Sequence, residues 1–390
     1  MRRFRQVVFW LHLCSGVLAG IFILIMCVSG ALLSFQSNII AFAERDMRNV
    51  SVPSENATRL SLTEILDKIQ AAKPNAKPSS ITLKIEPNAA ANISLGREGQ
   101  VFVNPYTGEI TGEGAQNVRG FFRTVEDAHR WLALSGDARP IGKAVNDAAN
   151  LLFLFLAISG LYIWFPRRFL LRHFKPILWF RTGLKGKARN FNWHNTIGFW
   201  SSLVLIILTA TAVVMSYTWA NNLLYRMTGN EPPPQQQQQR APNNQANEQP
   251  FVLPENIDTL WKHAANKVAS PSPKSISLRL PVEKNAAVFT IEEGRYWNKF
   301  ARSTLTLNPE TGEIAKWEDY GEQNAGRQLR SWVRFTHTGE TGGIVGQIIG
   351  FLACIGGSFL VWTGISLALR RFGNWRGRNN RSSIDADTLK

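Results

Sequence analysis

Residues 190–225 read NFNWHNTIGFWSSLVLIILTATAVVMSYTWANNLLY, a stretch without a single Asp, Glu, Lys or Arg. About 20 predominantly apolar residues suffice for a helix to cross the hydrocarbon core of a bilayer. Three further charge-free runs, Gln6 to Ala43, Ala148 to Pro166 and Thr341 to Leu369, have the same character. They explain why a chain of 390 residues is 45% apolar and only 18% charged. The expected fold is a bundle of four transmembrane helices, at 7–35, 142–165, 193–220 and 342–369. Two α+β domains, at 36–128 and 251–335, lie between them. The first run has a basic start and an Ala41-Phe42-Ala43 that looks like a signal-peptide cleavage site, but it exceeds the 7–15 apolar residues of such a signal. A second basic-flanked helix turning back also needs the first to have crossed.

The net charge of +16 would suggest nucleic acid or an anionic surface in a soluble chain. Its distribution excludes that reading. The N-terminus (1–6) carries Arg2, Arg3 and Arg5. The loop 166–192 carries Arg167, Arg168, Arg172, Lys175, Arg181, Lys185, Lys187 and Arg189 with no acid. The tail 370–390 adds Arg370, Arg371, Arg376, Arg378, Arg381 and Lys390 against Asp385 and Asp387. With four alternating spans these pieces share one side, and the positive-inside rule makes that side the cytoplasm. Both termini are then cytoplasmic and the two α+β domains periplasmic, as in a bacterial inner-membrane protein. Cys14, Cys27 and Cys354 all fall inside spans, so neither outer domain has a disulfide and no zinc or iron–sulfur spacing appears. There is no Ser-His-Asp order, P-loop or dinucleotide-binding glycine pattern either.

The sequence repeats itself. Val103-Asn104-Pro105-Tyr106-Thr107-Gly108-Glu109-Ile110 matches Leu307-Asn308-Pro309-Glu310-Thr311-Gly312-Glu313-Ile314, 204 residues on. The same offset relates Ser159-Gly160-Leu161 to Thr363-Gly364-Ile365. Upstream of each strand motif a helical pattern is expected, over 61–72 with Ser61 and Glu64 as a capping box, and over 257–268. Alternating strands follow at 80–85 and 100–103, and at 275–280 and 303–307. The Gln- and Pro-rich segment 231–250 reads as a linker.

Four of the six histidines obey the repeat. Trp10-Leu11-His12 matches Asn192-Trp193-His194 at an offset of 182, and His129 matches His337 at 208. His12 and His194 lie near the cytoplasmic ends of spans one and three. His129 and His337 precede spans two and four on the opposite side. Two facing imidazoles at one depth are what a six-coordinate haem b requires, since the porphyrin fills four positions. Gly16 and Gly198, one turn beyond His12 and His194, and Gly339, Gly342 and Gly343 after His337, would leave room for a flat macrocycle. Arg5 and Arg189 at one face, and Arg130 and Arg334 at the other, are candidates for its propionates. The competing reading makes these interfacial residues beside a belt of Trp10, Trp131, Trp193 and Trp332. His173 is a spare candidate for the inner pair, Met215 and Met227 are axial candidates that fit packing better, and His263, Asp147 and Glu340 read as structural or interfacial.

The Trp-x-His-x3-Gly start of span one, Asn-Trp-His-Asn-Thr-Ile-Gly at span three, His-Thr-Gly before span four and Ser-Gly-Leu-Tyr-Ile-Trp-Phe-Pro-Arg-Arg closing span two resemble the PepSY-associated transmembrane proteins. The Asn-Pro-x-Thr-Gly-Glu-Ile segments resemble PepSY domains. Within that family the architecture is similar to inner-membrane reductases of ferric siderophores, hydroxamates among them. The resemblance implies two bis-histidine haem b groups, on His12 with His194 and on His129 with His337, and ferric reduction in the periplasm. Some relatives carry a fused cytoplasmic flavoprotein; here a quinol or a separate cytoplasmic flavoprotein is the expected donor. Phe121, Phe122, Tyr296, Trp297 and Arg327 are candidate substrate contacts. The alternatives are a haem carrier with another periplasmic acceptor and a haem-free scaffold whose PepSY domains hold a partner.

Overall fold

Hydrophobic run length, capping chemistry and strand alternation account for most of the architecture. The computed structural model describes residues 2–165, 178–233, 254–267, 273–293 and 300–387. His173, Tyr296, Trp297 and nearly all of the expected linker lie outside the described residues. Eleven α-helices are present among them: α1 (Arg2–Leu33), α2 (Gln36–Ala43), α3 (Arg45–Arg48), α4 (Leu62–Ala72), α5 (Gln116–Trp131), α6 (Arg139–Trp164), α7 (Gly186–Ser216), α8 (Thr218–Met227), α9 (Ile257–Lys267), α10 (Ala325–His337) and α11 (Gly343–Asp387). The eight strands are β1 (Ser80–Lys84), β2 (Ala91–Ser94), β3 (Gln100–Val103), β4 (Ile110–Gly112), β5 (Ser275–Arg279), β6 (Ala287–Glu292), β7 (Arg302–Leu307) and β8 (Ile314–Glu318). The chain divides into two compact units.

The first unit comprises 1–36, 121–223 and 332–390. Its four long helices, α1, α6, α7 and α11, are each long and apolar enough to cross a membrane. The protein is therefore a multi-pass membrane protein. The helices pack as a ring, α1 against α6, α6 against α7, α7 against α11 and α11 against α1, so α1 and α7 are diagonal, as are α6 and α11. Ala19, Ile23, Met26, Cys27, Phe153, Leu205 and Ala353 fill the middle, while Leu18, Leu203 and Leu352 point outward and are exposed, as lipid-facing side chains are. Small residues let the helices approach: a Cβ on Gly357 would lie 2.6 Å from the Cys27 sulfur. Inside the ring Asn150 donates to the Thr209 carbonyl at 3.1 Å, and Asp147 pairs with Lys143 one turn earlier on α6.

The second unit comprises 37–120 and 224–331. Sequence reading expects two separate α+β domains, and the structure differs. All eight strands form a single antiparallel sheet in the order β4-β3-β2-β1-β5-β6-β7-β8. The two halves meet at β1 and β5, paired from Ser80↔Arg279 to Lys84↔Ser275, with Thr82 Oγ1 donating to Ser277 Oγ at 2.9 Å. Each half leaves its first strand at an edge, and pairing the two edges satisfies both rows of backbone groups. The apolar faces of α4 (Ile65, Leu66, Ile69) and α9 (Ile257, Leu260, Ala264) share one core with Ile81, Ile93, Leu278, Phe289, Ile291 and Leu305. The expected capping box is present: Glu64 N–H donates to Ser61 Oγ at 3.2 Å and Ser61 N–H to the Glu64 carboxylate at 2.8 Å. Asp258 on α9 also caps α4, accepting from Leu62 N–H and Thr63 Oγ1, both at 2.6 Å.

The matching strand motifs form matching turns. Asn104 Oδ1 accepts from Tyr106 N–H at 2.9 Å, and Asn308 Oδ1 from Glu310 N–H at 2.8 Å. Gly108 and Gly312 close them at φ of 76° and 71°, a conformation open to glycine without steric cost. His263 packs over the second turn, with its Nδ1 3.2 Å from the Gly312 carbonyl oxygen.

Glu44 is fully buried in this unit and gathers donors from several elements. Arg48 Nη2 lies at 2.6 Å, Arg119 Nε at 2.5 Å and the Ala115 N–H at 3.1 Å. Burial alone would raise its carboxyl, but the hydrogen bonds from Arg119, Arg48 and Ala115 outweigh that and hold it below the usual carboxylate range.

Candidate functional site

The candidate site lies within the four-helix unit and is built from four histidines. His12 is on α1 and His194 on the diagonal helix α7; His194 is within electrostatic range of His12. His129 lies in the last turn of α5 and His337 ends α10. Their ring centres are 6.3 Å apart, with the ring planes inclined by 50°. Burial, with the facing His337 adding to it, pushes the His129 imidazole down to about 4, and burial lowers His337 as well. Burial thus favours the neutral imidazole in both rings, the form that binds a metal. The His129 and His337 rings, paired by the repeat, face one another.

Each histidine is held at Nδ1 by a neighbouring helix. His12 Nδ1 lies 2.9 Å from Ser159 Oγ on α6, and His194 Nδ1 lies 2.9 Å from Thr363 Oγ1 on α11. His129 Nδ1 is 2.9 Å from Ser29 Oγ on α1. His337 Nδ1 is 3.0 Å from the Leu208 carbonyl oxygen and 3.2 Å from Thr211 Oγ1, both on α7. In all four rings Nδ1 is engaged, so Nε2 is the nitrogen that could bind a metal. Sequence reading missed these hydroxyls. A signal was present, because Ser29 and Thr211 are 182 residues apart and Ser159 and Thr363 are 204 apart, the spacings of the repeat.

Glycine matters here for a different contact from the one expected. A Cβ on Gly160, Gly30 or Gly364 would lie 3.2, 3.3 or 3.4 Å from the Cε1 of His12, His129 or His194 respectively. The residue after each of these three hydroxyls thus lets an imidazole lie against the helix; Ala212 follows Thr211. Gly16 and Gly198 instead face Leu156 and Leu360, at 3.8 and 3.5 Å from a built Cβ. Gly339 and Gly343 have positive φ and form the turn from α10 into α11, where a Cβ on Gly346 would overlap the Gly339 carbonyl oxygen. These glycines serve the chain reversal. At the equivalent α5-to-α6 turn a Cβ on Gly142 would overlap the Trp131 carbonyl oxygen.

The arginines differ in what they hold. Arg189 is stacked on Trp193 at 5.1 Å, and its buried Nε–H has no hydrogen-bond partner among the described residues. A buried donor without an acceptor is costly, so this group suits a carboxylate. Arg5 donates to the Ile163 and Phe165 carbonyls at the end of α6. Arg130 lies over Trp131 and Arg334 over Phe335, and Arg327 pairs with Glu318 at 3.2 Å. Met215 and Met227 are exposed.

The described residues bring together no group of three or more His, Cys, Asp and Glu that could hold a metal. A metal taken by either histidine pair would draw its remaining ligands from elsewhere. The matching family model is that of the PepSY-associated TM region, over residues 9–371. The chain belongs to the PepSY-associated TM family. A match over nearly the whole chain covers all four spans, the sheet unit between them and the four histidines. Comparison with curated proteins gives no match.

Proposed function

We propose that this PepSY-associated TM protein is a haem b electron carrier of the bacterial inner membrane that reduces ferric siderophores in the periplasm. The observation that carries the reading is the His129–His337 spacing of 6.3 Å. A metal–imidazole bond is about 2 Å long and the ligating nitrogen sits about 1 Å from its ring centre, so an ion between two imidazoles sets the ring centres about 6 Å apart. The engaged Nδ1 atoms, and the Arg189 Nε–H that has no acceptor among the described residues, support the same group, a metal macrocycle bearing carboxylates. His12 with His194 would hold one haem and His129 with His337 the other, the arrangement an internal duplication of span, α+β segment and span produces.

Bound haem supplies reversible one-electron transfer at its iron. The chain's own part is to fix two such groups within the roughly 30 Å hydrocarbon core, dividing the crossing into short steps. Apolar side chains around them keep water out. The basic 1–6, 166–192 and 370–390 segments put both termini in the cytoplasm, where a quinol or flavoprotein donates, and the sheet unit in the periplasm. The substrate is a hydroxamate or catecholate chelate, whose hard oxygens hold Fe(III) far better than Fe(II). One electron per iron therefore loosens it.

An air-oxidised against dithionite-reduced absorption spectrum of the detergent-purified chain, with haemochrome quantitation, tests the reading. Two haem b per chain, reoxidised anaerobically by a ferric siderophore, is the expected result. A colourless folded protein would overturn it.

A further inference from the structure

The four hydroxyls that meet the histidines each have only one proton, and the geometry shows where it goes. Ser29 Oγ donates to the Ile25 carbonyl at 2.5 Å and Thr363 Oγ1 to the Phe359 carbonyl at 2.7 Å. Thr211 Oγ1 lies 2.8 Å from both the Ile207 and Leu208 carbonyls, and Ser159 Oγ donates to the Leu156 carbonyl at 3.4 Å. A hydroxyl whose proton is spent on a helix carbonyl can only accept from the imidazole. The Leu208 carbonyl facing His337 is an acceptor by nature. The rings of His129, His194 and His337, which also meet a backbone carbonyl, therefore carry the proton on Nδ1 and the lone pair on Nε2, and the matching position of His12 in the repeat assigns it the same tautomer.

We propose that Ser29, Ser159, Thr211 and Thr363 are positioning residues that lock the ligating tautomer of His129, His12, His337 and His194 and set the redox potential through ligand basicity. This rests on the haem reading above. Accepting the Nδ1–H raises the electron-donating power of Nε2 and orients the ring, as outer partners of metal-bound histidines do. A stronger donor favours the more highly charged Fe(III), so each hydroxyl lowers the potential of the haem its histidine holds. The four positions are not equivalent. His129, His194 and His337 each also meet a backbone carbonyl beside the hydroxyl, of Met26, Leu360 and Leu208 respectively, whereas among the described residues His12 is met by Ser159 Oγ alone.

The test is an optical redox titration of the full-length purified chain, with haem content measured alongside. Thr363→Val and Ser159→Ala should shift one of two components to higher potential, and Ser29→Ala should shift the other. Thr363→Ser should restore the native value, and Ser159→Ala should move its component more than Thr363→Val does, because His194 keeps the Leu360 carbonyl. If Thr363→Val loses its haem, Ser159→Ala and Thr363→Ser report on the same component. Two haems with unmoved potentials, or a shift in both components from a single variant, would overturn the proposal alone. A colourless wild-type chain would overturn the haem reading and this inference with it.

Discussion

His337→Gly deletes one ring of a facing pair and leaves a hole the size of an imidazole. The acceptors that held its Nδ1 remain: the Leu208 carbonyl oxygen, 3.0 Å from the native nitrogen, and Thr211 Oγ1, 3.2 Å from it. Free imidazole can use the same acceptors, gaining about 1 kcal/mol net from one hydrogen bond, and still present its second nitrogen as a ligand. What it lacks is the covalent tether. A flexible link supplies an effective concentration in the millimolar range, and a rigid one more, so restoration should need on the order of ten millimolar imidazole. In the haem reading the variant holds one haem b instead of two, and added imidazole returns the second. Haemochrome quantitation and the reduced-minus-oxidised spectrum follow both. A variant that keeps two haems without imidazole would refute the pairing of His129 with His337. A lost haem that imidazole cannot return would refute the claim that the ring is held chiefly by acceptors on α7.

Other perturbations separate the two units. Glu44→Gln leaves the half-buried Arg48 and Arg119 facing a neutral side chain and should cost about 1–3 kcal/mol; thermal unfolding followed by circular dichroism would detect it, and a negligible change would contradict the packing described. Because the Glu44 carboxyl is held low, its contribution is present above the unfolded-state pKa and lost as pH falls through the folded value. Acid should therefore destabilise the native chain more than Glu44→Gln. Asp258→Ala removes the second cap of α4 and leaves the Ser61–Glu64 box; it should cost about 1 kcal/mol and, in the haem reading, leave haem content unchanged. Gly142→Val collides with the Trp131 carbonyl and should disturb His129 two residues before it; unaltered haem content and stability would show that the turn yields without effect.

The four spans are legible because lipid imposes a strict length and polarity on each. Their helices extend further than the charge-free runs, α1 from Arg2 and α7 from Gly186, since a helix can leave the bilayer without ending. The capping box at Ser61 and the strand cores at Ser80, Gln100 and Ser275 follow from local pattern. The expected strands do not include β2, β4, β6 or β8, and the joining of β1 to β5 lies between residues about 195 apart in sequence, which no local periodicity encodes. At the site, histidine is rare enough to draw attention and its repeat spacing pairs it. Serine and threonine are common in apolar helices, where their hydroxyls usually bond the preceding turn, so Ser29 and Thr363 look ordinary until an imidazole is placed beside them. Arg5 shows the reverse: a charge beside a candidate ligand that the end of α6 engages.

The seam at β1 and β5 has a consequence for how the protein is made. The N-terminal four strands leave the ribosome first, yet the inner edge of β1 has no partner until Ser275–Arg279 has been synthesised. In the interval α6 and α7 must enter the membrane. A nascent half-sheet with an open edge is a template for wrong pairing, with the same strand of another newly made chain or with any extended segment nearby. Late-arriving, distant contacts also fold slowly. Maturation of this protein should therefore be sensitive to translation pauses between α7 and β5, and to holdases that cover an unpaired strand during that window.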